Sequence, residues 1–238
     1  MLDKLLNILF PPRCELCDTL GTYICTKCYK ELKKYELENN EKEEKFFLYK
    51  YEEQIRKLLI KYKFNGKGYL CNLFSNCILN DKSACKFINS YDLIIPVPLH
   101  RKRKNERGYN QSELIARKVV KELQENISAK EFQKDNIPNI NENNFTYQNS
   151  QKYIKLNTKL LVKIKNTKPQ STLKLPDRIK SVKGAYKVKN PEVIKGKKVL
   201  IFDDIYTMGN TYNECKKVLI EAGAEEVGIF TIARDFME

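Results

Sequence analysis

The sequence predicts an α/β protein built around a parallel sheet, with a small cysteine-rich module in front of it. Strand-like apolar segments alternate with helical patterns along most of the 238 residues, which is the order expected of βαβ units. The segments at 92–97 and 199–202 are almost wholly apolar, as strands buried on both faces of a parallel sheet are. Four cysteines lie close together near the N-terminus. We therefore expect a module and connector in 1–40 and the sheet domain in 41–238, with a polar insertion at about 128–153.

The four cysteines Cys14, Cys17, Cys25 and Cys28 have the pattern C-x2-C-x7-C-x2-C. Each C-x2-C pair presents two thiolates on a tight turn, and four thiolates complete a tetrahedral zinc shell with no open position. The pattern therefore predicts a structural zinc (Zn²⁺) site. Iron is the alternative, because four thiolates also suit rubredoxin-like or cluster sites. Disulfides fit a reducing compartment poorly.

The elements of the sheet domain follow from hydrophobic periodicity and chain breakers. In 52–64, Ile55, Leu58, Leu59 and Tyr62 recur at helical spacing, and the glycines after residue 64 end the pattern. Further helices are predicted at 69–79, 110–123 and 212–222, and strands at 46–51, 92–97, 159–164, 199–202 and 226–233.

The net charge of +14 is concentrated in the middle of the chain. Residues 51–198 carry 32 basic and 13 acidic side chains, whereas residues 199–238 carry 3 and 8. A basic middle suits pyrophosphate, nucleic acid or both, and the alternative is a solvated surface from a composition rich in Lys and Asn. The chain has no apolar run of ~18 residues, which predicts no transmembrane segment, and residues 1–10 lack a secretory signal. We therefore expect a cytoplasmic location.

Residues 199–211 read Val-Leu-Ile-Phe-Asp-Asp-Ile-Tyr-Thr-Met-Gly-Asn-Thr and combine a strand, two carboxylates and a loop that enters a helix. Asp203 and Asp204 are expected where the strand ends, which is the edge at which ligands of open α/β sheets bind. The loop offers hydroxyls, backbone N–H groups and the positive end of a helix dipole to a phosphate. Because carboxylates accept hydrogen bonds from sugar hydroxyls, the pattern predicts a site for a ribose 5-phosphate. The alternative is an ordinary strand-turn-helix with solvated carboxylates.

The most basic run of the chain, at 100–108, follows the strand predicted at 92–97. Its side chains Arg101, Lys102, Arg103 and Arg107 suit the several negative charges of a pyrophosphate group. The alternative is a generic basic turn.

The string at 199–211 resembles the phosphoribosyl pyrophosphate (PRPP) motif of the type I phosphoribosyltransferases. The resemblance implies that Asp203 and Asp204 are catalytic and contact the ribose hydroxyls, that 99–107 binds pyrophosphate, and that Mg²⁺ accompanies PRPP. The residues it assigns to the 5-phosphate are Thr207, Met208, Gly209, Asn210 and Thr211. Met208 stands where that family more often has Thr, which removes a hydroxyl but no backbone donor.

The order of motifs is similar to that of the ComF family, over nearly the whole chain except the insertion. The four-cysteine module precedes the conspicuous segments 96–98, 107–111 and 170–186 and then the PRPP-like motif. The resemblance implies a role in natural competence, the uptake of transforming DNA. It also implies single-stranded DNA and DNA-uptake or helicase proteins as partners, at the inner face of the membrane.

Two functions are compatible with these features. One is a phosphoribosyltransferase that releases pyrophosphate and transfers ribose 5-phosphate to an unidentified acceptor. The other is a non-catalytic protein that binds single-stranded DNA or acts as a scaffold of the uptake machinery. The residues alone do not decide whether there is turnover.

Overall fold

A computed structural model of the protein describes residues 11–36, 44–133, 154–167 and 181–236. The strands are β1 (Lys45–Lys50), β2 (Leu93–Pro96), β3 (Lys155–Leu156), β4 (Leu161–Lys163), β5 (Tyr186–Val188), β6 (Lys198–Tyr206) and β7 (Glu226–Arg234). The α-helices are α1 (Thr26–Lys30), α2 (Glu53–Phe64), α3 (Leu70–Leu79), α4 (Lys82–Asn89), α5 (Arg101–Arg107), α6 (Gln111–Gln133) and α7 (Asn210–Glu221).

Five of the strands form one sheet in the order β1-β7-β6-β2-β3. All neighbouring strands in it run parallel, whereas β4 and β5 form a separate antiparallel pair. Because the five strands are parallel, their carboxyl ends meet at one edge of the sheet, where ligands of such folds bind. The predicted α/β fold with a parallel sheet is confirmed.

The side chains of β6 alternate between two hydrophobic cores. Leu200 and Phe202 belong to the core shared with α2, α3, α4 and α6, whereas Val199 and Ile201 belong to the core shared with α7 and the β4–β5 pair. A strand covered on both faces places every side chain in an apolar environment. This double coverage explains the uninterrupted apolar run in the sequence.

Several elements differ from the sequence prediction. Strand β6 continues to Tyr206, because it stays paired with β7 over its whole length, so Asp203 and Asp204 lie within the strand and not after it. Helix α6 runs to Gln133, into the start of the predicted insertion, and residues 134–153 lie outside the described part. Of the conspicuous segment 170–186, residues 170–180 also lie outside it. The sequence predicts no helix where α4 lies; α4 is short, and its N-terminus is capped by Asp81, whose side chain accepts a hydrogen bond from the backbone N–H of Ala84 (2.9 Å).

The cysteine-rich segment packs on the face of the sheet domain that contains α2 and α3. Leu16 and Ile24 are partly buried against the core that contains α2 and α3, and an antiparallel bridge joins Arg13 to Leu20. Among the described residues, no helix is both long and apolar enough to cross a bilayer.

Candidate functional site

The carboxylate pair of β6 lies at the sheet edge where the parallel strands end. Asp204 is almost fully buried, with 4% of its surface exposed, whereas Asp203 is half-buried. The Oδ1 atom of Asp203 accepts hydrogen bonds from the Ser112 hydroxyl (2.9 Å) and from the backbone N–H of Asp204 (2.9 Å). Lys63 Nζ lies 2.8 Å from Asp204 Oδ1. The second oxygen, Asp204 Oδ2, is buried and has no hydrogen-bond partner among the residues that the structure describes.

An unpartnered buried carboxylate oxygen is costly, because its desolvation is not offset by a hydrogen bond. The cost is offset when a ligand donates to that atom. Burial, and then the negative charge of Asp204, raise the pKa of Asp203 to about 7, while Lys63 and the two hydrogen bonds act in the opposite direction. A ligand that brings hydroxyl donors or positive charge would therefore stabilise the pair.

The loop at 207–211 connects β6 to α7 beside the pair. Gly209 caps the N-terminus of α7 with a φ of +77°, in the left-handed region that favours glycine. A Cβ at this position would overlap the Tyr206 hydroxyl and lie 2.9 Å from its Cζ, so only glycine fits. Thr207 and Thr211 line the adjacent cavity. Met208 is 41% exposed. The first backbone N–H groups of α7 have no partner within the helix, which suits a bound anion.

The basic run folds as helix α5, and Gly108, with a φ of +84°, ends it. Arg103 and Arg107 line the cavity, whereas Arg101 and Lys102 are exposed and are not among its lining residues. The Arg107 guanidinium donates to Gln111 Oε1 (2.6 Å) and lies over the Phe64 ring, 5.2 Å from its centroid. These contacts hold Arg107 in a fixed orientation toward the pocket.

The β4–β5 pair contributes a lysine that sequence reasoning missed. Lys163 lines the cavity, and its Nζ atom lies 5.4 Å from the centroid of the Tyr186 ring. Burial, and then the positive charge of Arg103, lower the pKa of Lys163, whereas Asp203 acts in the opposite direction. A cation held under such repulsion is stabilised by an incoming anion.

Together these elements enclose a cavity of about 530 Å³. Its cationic lining residues are Arg56, Lys63, Arg103, Arg107 and Lys163, and its acidic ones are Asp203, Asp204 and Asp235. The carboxylates of β6 therefore lie in the same cavity as a set of cations from other elements. Such a cavity can bind a ligand that has hydroxyl donors at one part and several negative charges at another.

The four cysteines converge as the sequence predicts. The Sγ atoms of Cys14, Cys17, Cys25 and Cys28 all lie within 4.8 Å of one another. The Cys17 and Cys25 sulfurs are 3.6 Å apart, which is close to the ~3.8 Å edge of a tetrahedron with metal–sulfur bonds of about 2.3 Å.

The turns around the cluster direct donors at the sulfurs. The backbone N–H of Cys25 donates to Cys14 Sγ (3.4 Å), and that of Cys28 donates to Cys25 Sγ (3.5 Å). Hydrogen bonds of this kind orient the side chains that bind a metal. The cluster can therefore hold a metal ion such as zinc.

Three polar residues of the site carry no local sequence signal that we used: Lys63, Ser112 and Lys163. Each lies on an element that is distant in sequence from the carboxylate pair, whose site it shares. For Lys163, a signal was present, since it interrupts an apolar segment that was itself predicted as a strand.

Comparison with known proteins gives a consistent set of relatives. Residues 110–235, more than half of the chain, match the family described as "Phosphoribosyl transferase domain". The chain is 25% identical over 188 residues to Competence protein F of Haemophilus influenzae, covering 77% of this chain and 69% of that protein. It is 24% identical over 188 residues to Competence protein ComFC of Bacillus subtilis (79% and 62%). It is 22% identical over 180 residues to DNA utilization protein YhgH of Escherichia coli O157:H7 (74% and 66%). The chain thus spans 62–69% of the length of these relatives.

Proposed function

Because the chain belongs to the phosphoribosyl transferase domain family, as a ComF-type competence and DNA-utilization protein, we propose that its pocket binds PRPP together with Mg²⁺. The family and fold predicted from the sequence are confirmed by these matches and by the parallel sheet. The proposal for PRPP rests chiefly on one observation. Asp204 Oδ2 is buried and has no partner among the described residues, and it belongs to the strand that leads into the loop before α7.

In this proposal the carboxylate pair binds the ribose. Asp204 Oδ2 accepts a hydrogen bond from one ribose hydroxyl, and Asp203 accepts one from the neighbouring hydroxyl. The 5-phosphate lies against residues 207–211, where the backbone N–H groups at the start of α7 and the threonine hydroxyls donate to its oxygens. Met208 contributes its backbone N–H only.

Arg103, Arg107 and Lys163 bind the pyrophosphate group, since all three line the cavity. Arg101 and Lys102 lie outside the lining, so their proposed contribution is long-range attraction of the anion. Mg²⁺, when bound with PRPP, neutralises pyrophosphate oxygens. The residues of this site contribute to catalysis in two ways: they lower the charge on the leaving group, and they hold the ribose in place.

Transfer, if the acceptor is present, breaks the bond between ribose C1 and pyrophosphate and forms a bond from C1 to the acceptor. Binding and turnover are separate properties, so they need separate assays. Release of pyrophosphate upon addition of candidate acceptors measures turnover, and calorimetric titration measures binding.

The binding experiment is a titration of the metal-loaded protein with PRPP and Mg²⁺. We expect saturable binding by the wild type and a loss of at least about 100-fold in the double variant Asp203→Asn/Asp204→Asn, because hydrogen bonds to charged groups contribute about 1.5–3 kcal/mol each. Glu221→Gln is the matched control, since Glu221 is an exposed carboxylate at the far end of α7. Failure of the folded wild type to bind PRPP would contradict the proposal.

For the cysteine cluster we propose zinc as the bound metal. Its role is structural, because four thiolates leave no open coordination position. Elemental analysis of protein purified without chelator is expected to give one zinc per chain. One iron per chain, or neither metal, would contradict this.

A second candidate function is binding of single-stranded DNA without turnover, within a DNA-uptake assembly at the cytoplasmic face of the membrane. The observation that favours it is the exposure of Arg101 and Lys102 outside the cavity, where they are accessible to a larger polyanion. Fluorescence anisotropy with a labelled oligonucleotide tests it, and the affinity is expected to fall steeply with salt. An Arg101→Gln/Lys102→Gln variant that keeps its DNA affinity would contradict this assignment.

A further inference from the structure

Helix α2 stands between the four-cysteine module and the carboxylate pair, and it makes a buried ionic contact in each direction. Lys61 Nζ lies 2.6 Å from the Glu15 carbonyl oxygen and 3.0 Å from Glu15 Oε2, on the side of the module. Lys63 Nζ lies 2.8 Å from Asp204 Oδ1, on the side of the pocket. Residues two positions apart in a helix point about 200° apart, so the two lysines reach opposite sides of α2.

The contact with the module is an ionic cluster centred on Glu15, which has 7% of its surface exposed. Lys67 Nζ lies 2.8 Å from Oε1 and 2.7 Å from Oε2, and the Tyr69 hydroxyl also donates to Oε1. Tyr69 in turn packs against Tyr23 of the module, with ring centroids 4.4 Å apart. Because Glu15 lies between Cys14 and Cys17, this cluster fixes the first cysteine turn to the end of α2.

The ion pair on the side of the pocket leaves one oxygen of Asp204 available to a ligand. Lys63 contacts one oxygen of Asp204, and the other, Oδ2, is buried without a partner in the described part of the chain. The side chains of Lys63 and Asp204 are 17% and 6% exposed, so water screens their attraction little. Lys63 thus fixes the orientation of the carboxylate that is left open to a ligand.

We propose that helix α2 couples the four-cysteine module to the ligand pocket, with Glu15 fixing the helix on the module and Lys63 positioning Asp204 and offsetting its negative charge. Lys63 is a positioning residue: it acts on the ligand through Asp204. Only the ligand-binding part of this inference rests on the proposed binding of PRPP.

Several charged and titratable groups face the carboxylate pair. Asp203 and Asp204 repel each other's charge, and Lys63 is the cation that directly contacts them. Other groups interact electrostatically with one or both of the carboxylates: Arg107 of α5, Lys163 of β4, Tyr186 of β5, Cys215 of α7, Tyr62 of α2 and Tyr51. The charged residues Arg56, Arg103 and Asp235 line the same cavity. Removing the charge of Lys63 removes the contacting cation and leaves the mutual repulsion in place.

The first test needs no ligand. The side-chain carboxyl groups of ¹³C-labelled aspartate are titrated by NMR in wild type, Lys63→Gln, Lys63→Arg and Glu15→Gln, with the resonances assigned from Asp203→Asn and Asp204→Asn. We expect the midpoint of Asp203 to move up by about one pH unit in Lys63→Gln, because the charge of Lys63 lowers the pKa of Asp203 and one nearby opposite charge changes a carboxyl pKa by about 1–3 units. Lys63→Arg restores the wild-type midpoint, and Glu15→Gln moves it in the same direction as Lys63→Gln by a smaller amount.

Glu53→Gln is the matched control on the same helix. Glu53 forms an exposed pair with Lys57, 3.4 Å away and one turn along α2. Both residues line a groove beside the cysteine module, but neither belongs to the Glu15 cluster described above or to the lining of the carboxylate cavity. Its removal is expected to leave the titration unchanged. The metal content of Glu15→Gln is measured in parallel and is expected to equal that of the wild type, since Glu15 is not one of the four sulfur ligands.

The second test measures PRPP affinity and its pH dependence. We expect the dissociation constant to rise about 10-fold in Lys63→Gln and about 5-fold in Glu15→Gln, within the usual range of coupling between sites. In a double-mutant cycle, Glu15→Gln is expected to have less than a ~2-fold effect in the Lys63→Gln background, because both changes act through one contact. The pH at which affinity falls moves upward with the carboxyl midpoint.

These outcomes separate the inference from the proposed function. Absence of PRPP binding by the wild type would contradict the proposed function, and the ligand-free titration would still decide the coupling. An unchanged carboxyl midpoint in Lys63→Gln would overturn the role of Lys63. An unchanged midpoint in Glu15→Gln, or fully additive effects in the cycle, would overturn the link through α2.

Discussion

Gly209 allows a quantitative test of how the loop at 207–211 is built, through the substitution Gly209→Ala. Two costs are expected. The left-handed backbone, with a φ of +77°, costs about 1–2 kcal/mol for a residue with a Cβ. The new Cβ also meets the Tyr206 ring, where overpacking costs about 1–3 kcal/mol. The sum lowers the free energy of unfolding by about 2–5 kcal/mol.

Gly196→Ala is the matched control for the backbone cost. Gly196 has a φ of +67°, and a Cβ there would have no atom within 4 Å, so only the conformational cost of about 1–2 kcal/mol applies. The change Tyr206→Phe removes the hydroxyl that the new Cβ at position 209 would overlap. We therefore expect it to recover part of the stability in the Gly209→Ala background.

The assay is denaturant unfolding of the metal-loaded protein, combined with PRPP titration. Gly209→Ala is expected to weaken PRPP binding, because the shift of the loop misplaces the backbone donors, whereas Gly196→Ala leaves the affinity within ~2-fold. Equal losses of stability in the two variants would refute the close packing of Tyr206 as the reason for glycine at 209.

Three further outcomes are expected. The substitution Asp203→Asn is expected to increase the free energy of unfolding more at pH 8 than at pH 5. Burial and Asp204 raise the pKa of Asp203 to about 7, so the carboxyl is ionised at high pH, and this ionised form destabilises the fold. Denaturant unfolding measures the difference, and an equal increase at both pH values would contradict the prediction. The substitution Lys163→Met is expected to weaken PRPP binding about 10-fold in calorimetry, because it removes a cation proposed to bind the pyrophosphate. The melting temperature is not lowered, because the lost cation is buried and repelled by Arg103. A destabilised variant with normal affinity would show that Lys163 has a structural role instead. Removal of the metal by a chelator is expected to lower the stability by at least about 3 kcal/mol in thermal unfolding. Added zinc is expected to restore it. An unchanged stability would show that the module folds without metal.

The sequence was most informative where chemistry imposes a local spacing. Four thiolates around one metal require two close pairs, and the pattern from Cys14 to Cys28 states this directly. A carboxylate pair followed by a Thr- and Gly-containing loop is also a local pattern, so the sequence alone pointed to residues 203–211, and their binding of a phosphate stays a prediction. Strand β6 was underestimated because polar side chains hide a strand whose pairing with β7 continues through Tyr206.

The rest of the site could not be predicted, because it depends on packing between distant elements. Lys63 comes from a helix 141 positions before Asp204, and Ser112 lies 91 positions before Asp203. In the sequence, Lys63 looks like one of many surface lysines. Nothing in the local pattern separates it from Lys57, which does lie on the surface. The same limit applied to the basic run, where α5 turns Arg103 and Arg107 toward the cavity and leaves Arg101 and Lys102 exposed.

The central claim is that the carboxylate pair and the loop of β6 bind a ribose 5-phosphate, and a crystal structure with PRPP and Mg²⁺ tests it most directly. The account predicts a ribose hydroxyl within hydrogen-bond distance of Asp204 Oδ2 and the 5-phosphate against the backbone N–H groups of 208–211. Ligand bound elsewhere, for example on the exposed face of α5, or a pocket left empty at saturating PRPP, would contradict it.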